Sequence, residues 1–151
     1  MDLKLLVGSG DKVTLFALPF LAIGLILNVA YPSFFEVGGP PDALRVVSIV
    51  LLIAGVVIWL WAAALVATKV PKGELITSGP FALVKHPIYT GVALLVIPFL
   101  GFLLNSWLGV VVGAAMYVGS RKFAPAEEER MSRDFGPDWD EYCRTVRIPW
   151  L

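Results

Sequence analysis

Three long stretches of this chain carry no charge: Val13 to Phe35, Val46 to Thr68 and Pro87 to Ser120. A hydrocarbon core roughly 30 Å thick is crossed by about 20 helical residues rising about 1.5 Å each, so every one of these stretches is long enough to span a bilayer. The first two predict one helix each, over 13–30 and 46–68. The third is too long for one straight span. Asn105-Ser106 interrupts it, with Pro98 and Gly101 just before, which predicts a tight helical hairpin with arms over 88–104 and 107–120. Broken backbone at that depth is tolerated where neighbouring helices cover it. The expected fold is therefore an all-α integral membrane protein with four transmembrane helices. Composition agrees, since 58% of the 151 residues are hydrophobic and 16% are charged, against about a quarter charged in soluble domains. The first stretch reads as a retained helix because its apolar run exceeds a leader's h-region and no convincing A-x-A site precedes Pro32.

The charges that remain set the orientation. Lys4, Lys12, Lys69, Lys72, Lys85 and all six basic residues from Arg121 onward fall on one side of a four-span arrangement, leaving Arg45 alone on the other. Positively charged loops resist translocation, so both termini are expected in the cytoplasm. Twelve basic residues balance twelve acidic ones, which offers nucleic acid no basic stripe. One cysteine, Cys143, and one histidine, His86, exclude an intramolecular disulfide and a Cys/His metal site. Residues 121–151 form a charged tail in which Met131, Phe135, Trp139, Tyr142 and Val146 recur at helical spacing. Those steps predict amphipathic helices under the membrane domain, broken at Gly136-Pro137.

Two segments at the cytoplasmic edge could carry chemistry. In Leu75-Ile-Thr-Ser-Gly-Pro-Phe-Ala-Leu-Val-Lys-His-Pro-Ile-Tyr-Thr-Gly91, Pro87 opens the third membrane helix where its missing N–H costs nothing. His86 then sits among free backbone donors at a helix N-terminus, with Tyr89 in the first turn. In Glu127-Glu-Glu-Arg-Met, three glutamates after a membrane helix read on their own as a solvated helix start.

Taken together, His86-Pro87-x-Tyr89-x-Gly91, a helical hairpin and then Glu127-Glu128 with Met131 and Phe135-Gly136 resemble the isoprenylcysteine carboxyl methyltransferases and phospholipid methyltransferases of membranes. Trp139, Tyr142 and Val146 match the family's later aromatic, tyrosine and valine positions. The resemblance covers about Gly73 to Pro149. It implies S-adenosyl-L-methionine bound in a cytosol-facing pocket that the tail closes, and a lipophilic methyl acceptor, either isoprenylcysteine-carboxylate-like or a lipid. Carried over, the cofactor residues are the backbone around Gly73 to Ile76, then Phe81, His86, Pro87, Tyr89 and Glu127. No particular catalytic residue is implied beyond positioning by His86, Tyr89 and Glu127. The absence of G-x-G-x-x-G after a strand agrees with a cofactor site outside the Rossmann type.

The chain departs from the family pattern at Lys85, where the family has arginine, and at Met131, where it has leucine. Phe123 stands where the prenylcysteine enzymes place an arginine for the acceptor carboxylate, which makes Arg121 and Lys122 the nearest candidate acceptor contacts. Two other classes stay open on the residues alone: a membrane reductase using NADPH, related to the sterol reductases, and a non-catalytic small membrane protein. Gly109-x-x-x-Gly113 is expected to pack inside the bundle, and nothing in the sequence predicts an oligomer. Trp59 and Trp61 read as interfacial anchors and Cys143 as a packing residue.

Overall fold

Every regular element in the computed structural model, which describes residues 10–39 and 41–149, is helical. Lys4 and the last two tail positions lie outside the described residues. Helix α1 spans Gly10–Ala30, a single turn α2 follows at Pro32–Phe35, and α3 spans Asp42–Lys69. Asp42 in the first turn of α3 and Lys69 in the last both complement the helix dipole. At about 1.5 Å per residue, α3 is roughly 42 Å long. Helix α4, Pro87–Leu103, turns back into α5, Leu108–Phe135, and α6 occupies Pro137–Thr145.

Two of these helices, over Lys12–Ala30 and Asp42–Lys72, are long and apolar enough to cross a membrane, and α4 is a shorter apolar helix. Their surfaces are unlike those of a soluble protein. Leu15, Ile26 and Val29 of α1 and Val46, Ile53 and Leu60 of α3 all point outward. In water this apolar area would be left unburied, whereas hydrocarbon accepts it.

Helix α1 packs along α5, α5 pairs with α4, and α4 packs on α3. The α4–α5 pair is drawn together by residues without side chains. A Cβ on Gly109 would stand 2.5 Å from the Ile97 carbonyl oxygen, one on Gly101 2.8 Å from the Gly109 Cα, and one on Gly113 against the Ala93 carbonyl. The small residues 109 and 113 thus serve contact inside the bundle, as their spacing suggested. Pro98 has no N–H to donate and its ring crowds the preceding turn. The helix widens there into π geometry over Val92–Val96, with Ile97 N–H bonded to the Val92 carbonyl.

The hairpin turn is polar and closed. Asn105 adopts φ 55°, a left-handed conformation that Asn tolerates better than most residues. Its side-chain oxygen accepts from Gly39 N–H at 3.0 Å, while the Ser106 hydroxyl donates to Asn28 Oδ1 at 3.0 Å and caps Leu108 N–H at 3.2 Å. Trp107 Nε1 donates to the Phe34 carbonyl at 2.7 Å. These bonds fasten the segment after α1 across the end of the hairpin and satisfy backbone groups that the turn leaves open.

At the opposite end, α5 differs from the sequence expectation. It runs through Ser120, Arg121 and Pro125 without interruption, so Glu127 to Glu129 lie well inside a helix and do not begin one. The i→i−4 ladder simply continues once the apolar residues end, because Ala124, Ala126, Glu127, Glu128 and Glu129 are mostly strong helix formers. The helix stops at Phe135, where Gly136 takes φ 51°, and Pro137 opens α6.

Replacing Gly113 with leucine is expected to destabilise the fold by at least about 1–3 kcal/mol, since the neighbour it meets is backbone that cannot rotate away. Val110→Ala, on an exposed position, should change stability by about 0.5 kcal/mol or less. Thermal denaturation in a mild detergent measures both.

Candidate active site

The residues that close the end of the bundle away from the hairpin turn come from the α3–α4 loop and from the far half of α5. His86 is the residue before α4, with φ −123° and ψ 61°, and Pro87 is fully buried behind it. The first turn of α4 then carries Tyr89 inward, at 8% exposure, with its ring stacked on the His86 ring at 5.9 Å between centroids and 23° between planes. Across from them, α5 presents two glutamates. The Tyr89 hydroxyl donates to Glu127 Oε2 at 3.4 Å. Lys85 Nζ donates to Glu128 Oε2 at 2.6 Å, and His86 Nε2 meets Glu128 Oε1 at 3.1 Å.

The electrostatics of the corner follow from these contacts. The His86 hydrogen bond, helped by the Lys85 ammonium and opposed by burial, lowers the Glu128 carboxyl from its ordinary 4.5 to about 2. An ionised carboxylate only accepts, so Nε2 of His86 carries a proton and donates it. The ion pair is largely covered, with side-chain exposures of 13% for Lys85 and 25% for Glu128.

The tail is fastened to the same loop. Trp139, Tyr142 and Val146 are buried in one cluster with Leu75, Met131, Phe135 and Cys143. The five residues spaced along the tail sequence thus meet in one place. The Tyr142 hydroxyl donates to the Phe81 carbonyl at 2.9 Å. Beyond α6, Arg147 N–H and Ile148 N–H donate to the Ala82 and Leu83 carbonyls at 3.2 and 2.8 Å, forming a bridge between Val84 and Ile148. Burial raises the Tyr142 phenol and the Cys143 thiol above their ordinary values, so both stay protonated near neutral pH.

A cavity of about 600 Å³ opens between the loop and the tail, with Gly73, Glu74, Leu75 and Thr77 on one wall and Asp138, Glu141 and Tyr142 on the other. The sequence-predicted residues therefore fall in three places. His86, Pro87, Tyr89 and Glu127 meet at the corner. Gly73 lines the cavity, Ile76 is buried behind it, and Phe81 offers its carbonyl to Tyr142. Arg121 is exposed, and the Lys122 ammonium lies 5.6 Å from the Phe16 ring of α1 and 5.8 Å from the Phe123 ring. Sequence reasoning gave Glu128 no role. Its signal was two hydrogen-bond donors, Lys85 and His86, with no stated partner beside a motif that contains two acids.

The family model for isoprenylcysteine carboxyl methyltransferase matches residues 43–132. The chain belongs to that family. The match takes in α3, the loop, the hairpin and α5 as far as Ser132, so both halves of the corner lie within it, while α1 and α6 lie outside. No curated protein and no solved structure matches the chain. Membership in the isoprenylcysteine carboxyl methyltransferase family, together with the two long apolar helices, identifies a membrane methyltransferase.

A carboxyl held near 2 in the folded protein, against 4.5 when free, stabilises the folded state fully above about pH 4.5. That contribution is lost as pH falls through about 2. Thermal midpoints measured from pH 5 down to 2 should fall more steeply for the wild type than for Glu128→Gln. Tyr142→Phe leaves the Phe81 carbonyl without its donor and should cost about 1 kcal/mol, read in the same melts at neutral pH.

Proposed function

We propose that the protein transfers a methyl group from S-adenosyl-L-methionine to a lipophilic acceptor at the cytoplasmic face of a membrane. In this reading the chain crosses the bilayer four times with both termini inside, α5 crossing in its first half and bearing the acids in its second. The observation that carries the proposal is the contact of Tyr89 with Glu127, because it joins the two family motifs at one point although they lie 38 residues apart in the chain.

The residues present fit such a cofactor. Glu74, Asp138 and Glu141 make the cavity wall acidic, which suits a ligand bearing a sulfonium and an ammonium group, and its volume falls in the range of small-molecule sites. Gly73 and Ile76 would contribute backbone at the rear, with Phe81 and Pro87 as apolar walls. Tyr89 offers a ring face for a cation and Glu127 a carboxylate. When bound, S-adenosyl-L-methionine supplies a methyl group already activated by its positive sulfur. What remains for the chain is alignment and the exclusion of water. His86, Tyr89 and Glu127 orient the ligand at the corner, and α6 with the Val146–Ile148 strap covers it from the aqueous side. A general base is unnecessary where the acceptor arrives as a carboxylate, a thiolate or a neutral amine. The acceptor class is an isoprenylcysteine-like carboxylate or a lipid, and Arg121 and Lys122 are the cations assigned to an anionic one.

Calorimetric titration of the full-length protein in lipid nanodiscs with S-adenosylhomocysteine tests the proposal. Saturable binding is expected, weakened about two- to tenfold in Tyr89→Phe and more strongly in His86→Ala and Glu127→Gln. Absence of binding by the wild type, or binding of NADPH in its place, would overturn it.

A further inference from the structure

The corner contains two adjacent acids that do different things. Successive helical residues are about 100° apart, and here the two carboxylates address the two stacked rings separately, Glu127 the tyrosine and Glu128 the histidine. Glu128 is held at both oxygens: Oε2 by Lys85 Nζ at 2.6 Å and Oε1 by His86 Nε2 at 3.1 Å. A carboxylate fastened at two points cannot swing, and an imidazole bonded to it loses both its rotation and its choice of tautomer.

We infer that Glu128 is a positioning residue: by accepting the Nε2 proton of His86 it fixes the ring orientation and leaves Nδ1 as the imidazole's acceptor for a donor group of the bound ligand. The inference rests on the methyltransferase reading for the ligand, and on the geometry of this chain alone for the proton. The depressed acidity of Glu128, whose largest cause is the His86 hydrogen bond, agrees with it. A ring accepting at Nδ1 suits an ammonium, amino or hydroxyl donor of the ligand. Lys85 acts at one remove, by holding the carboxylate that holds the histidine.

His86 is the sole histidine of the chain, so imidazole nitrogen-15 spectra of the protein in nanodiscs contain one ring. At alkaline pH, where a histidine ring is neutral, the wild type should show a single tautomer with the proton on Nε2 and slow exchange of that proton with water. Glu128→Ala should lose the slow-exchanging proton and give averaged tautomers. Glu128→Gln, which keeps an acceptor oxygen and nearly the same shape, should show faster exchange but retain part of the signal, and it serves where the alanine variant does not fold. Glu129→Gln, on an exposed residue, should leave the spectrum unchanged. S-adenosylhomocysteine affinity should fall on the order of tenfold in Glu128→Ala and less in Glu128→Gln. A mixed tautomer in the wild type, or a spectrum unmoved by Glu128→Gln, overturns the inference even where the wild type binds the ligand. A locked Nε2 proton in a protein that binds no S-adenosylhomocysteine sustains the positioning role and removes the methyltransferase reading instead.

Discussion

A carboxylate at the edge of a low-dielectric region stays ionised only if donors surround it, and Glu128 obtains two from the loop before α4. That demand is what ties the two halves of the protein together. Lys85 and His86 sit at the start of one apolar helix, Glu128 deep within another, and neither side could keep its polar groups covered without the other. Once the pair is formed, Glu127 is directed at Tyr89, and the rings of His86 and Tyr89 are stacked on the same side. The hydrophobic cluster of Trp139, Tyr142 and Val146 then closes on Leu75.

The opposite end of the bundle uses a different principle. There the helices approach until backbone meets backbone at Gly101, Gly109 and Gly113, and the turn between them is satisfied by Asn28, Asn105 and Ser106. Without a hydrophobic driving force between helices in lipid, such close contact and hydrogen bonding are the means of association. The two ends divide the work. Packing holds the hairpin together, and charge holds the loop to the far half of α5.

Much of this was legible in the letters because it follows from periodicity and from special residues. Uncharged stretches marked α1, α3 and the hairpin, Asn105-Ser106 marked its turn, and the spacing from Met131 to Val146 marked one buried face. The meeting of His86 and Tyr89 with Glu127 was expected from the paired motifs. Three things were not legible. The continuity of α5 past Ser120 is hidden because hydropathy changes at Arg121 while helix propensity does not. The separate engagement of Glu127 and Glu128 depends on helix rotation relative to α4, which only packing decides. The strap of Arg147 and Ile148 on Ala82 and Leu83 is made of backbone bonds, to which side-chain patterns are blind.

The unbroken course of α5 has a mechanical meaning. A rod whose first half is seated against α1 and α4 and whose second half bears the acids transmits any change of inclination from one to the other. From Gly109 to Glu127 the rise is about 27 Å, so a lean of about 5° carries the carboxylates sideways by roughly 2 Å. That displacement is comparable to the 3.4 Å separating Tyr89 from Glu127. Any force that inclines α5 against its neighbours therefore acts on the alignment of the corner through the helix itself.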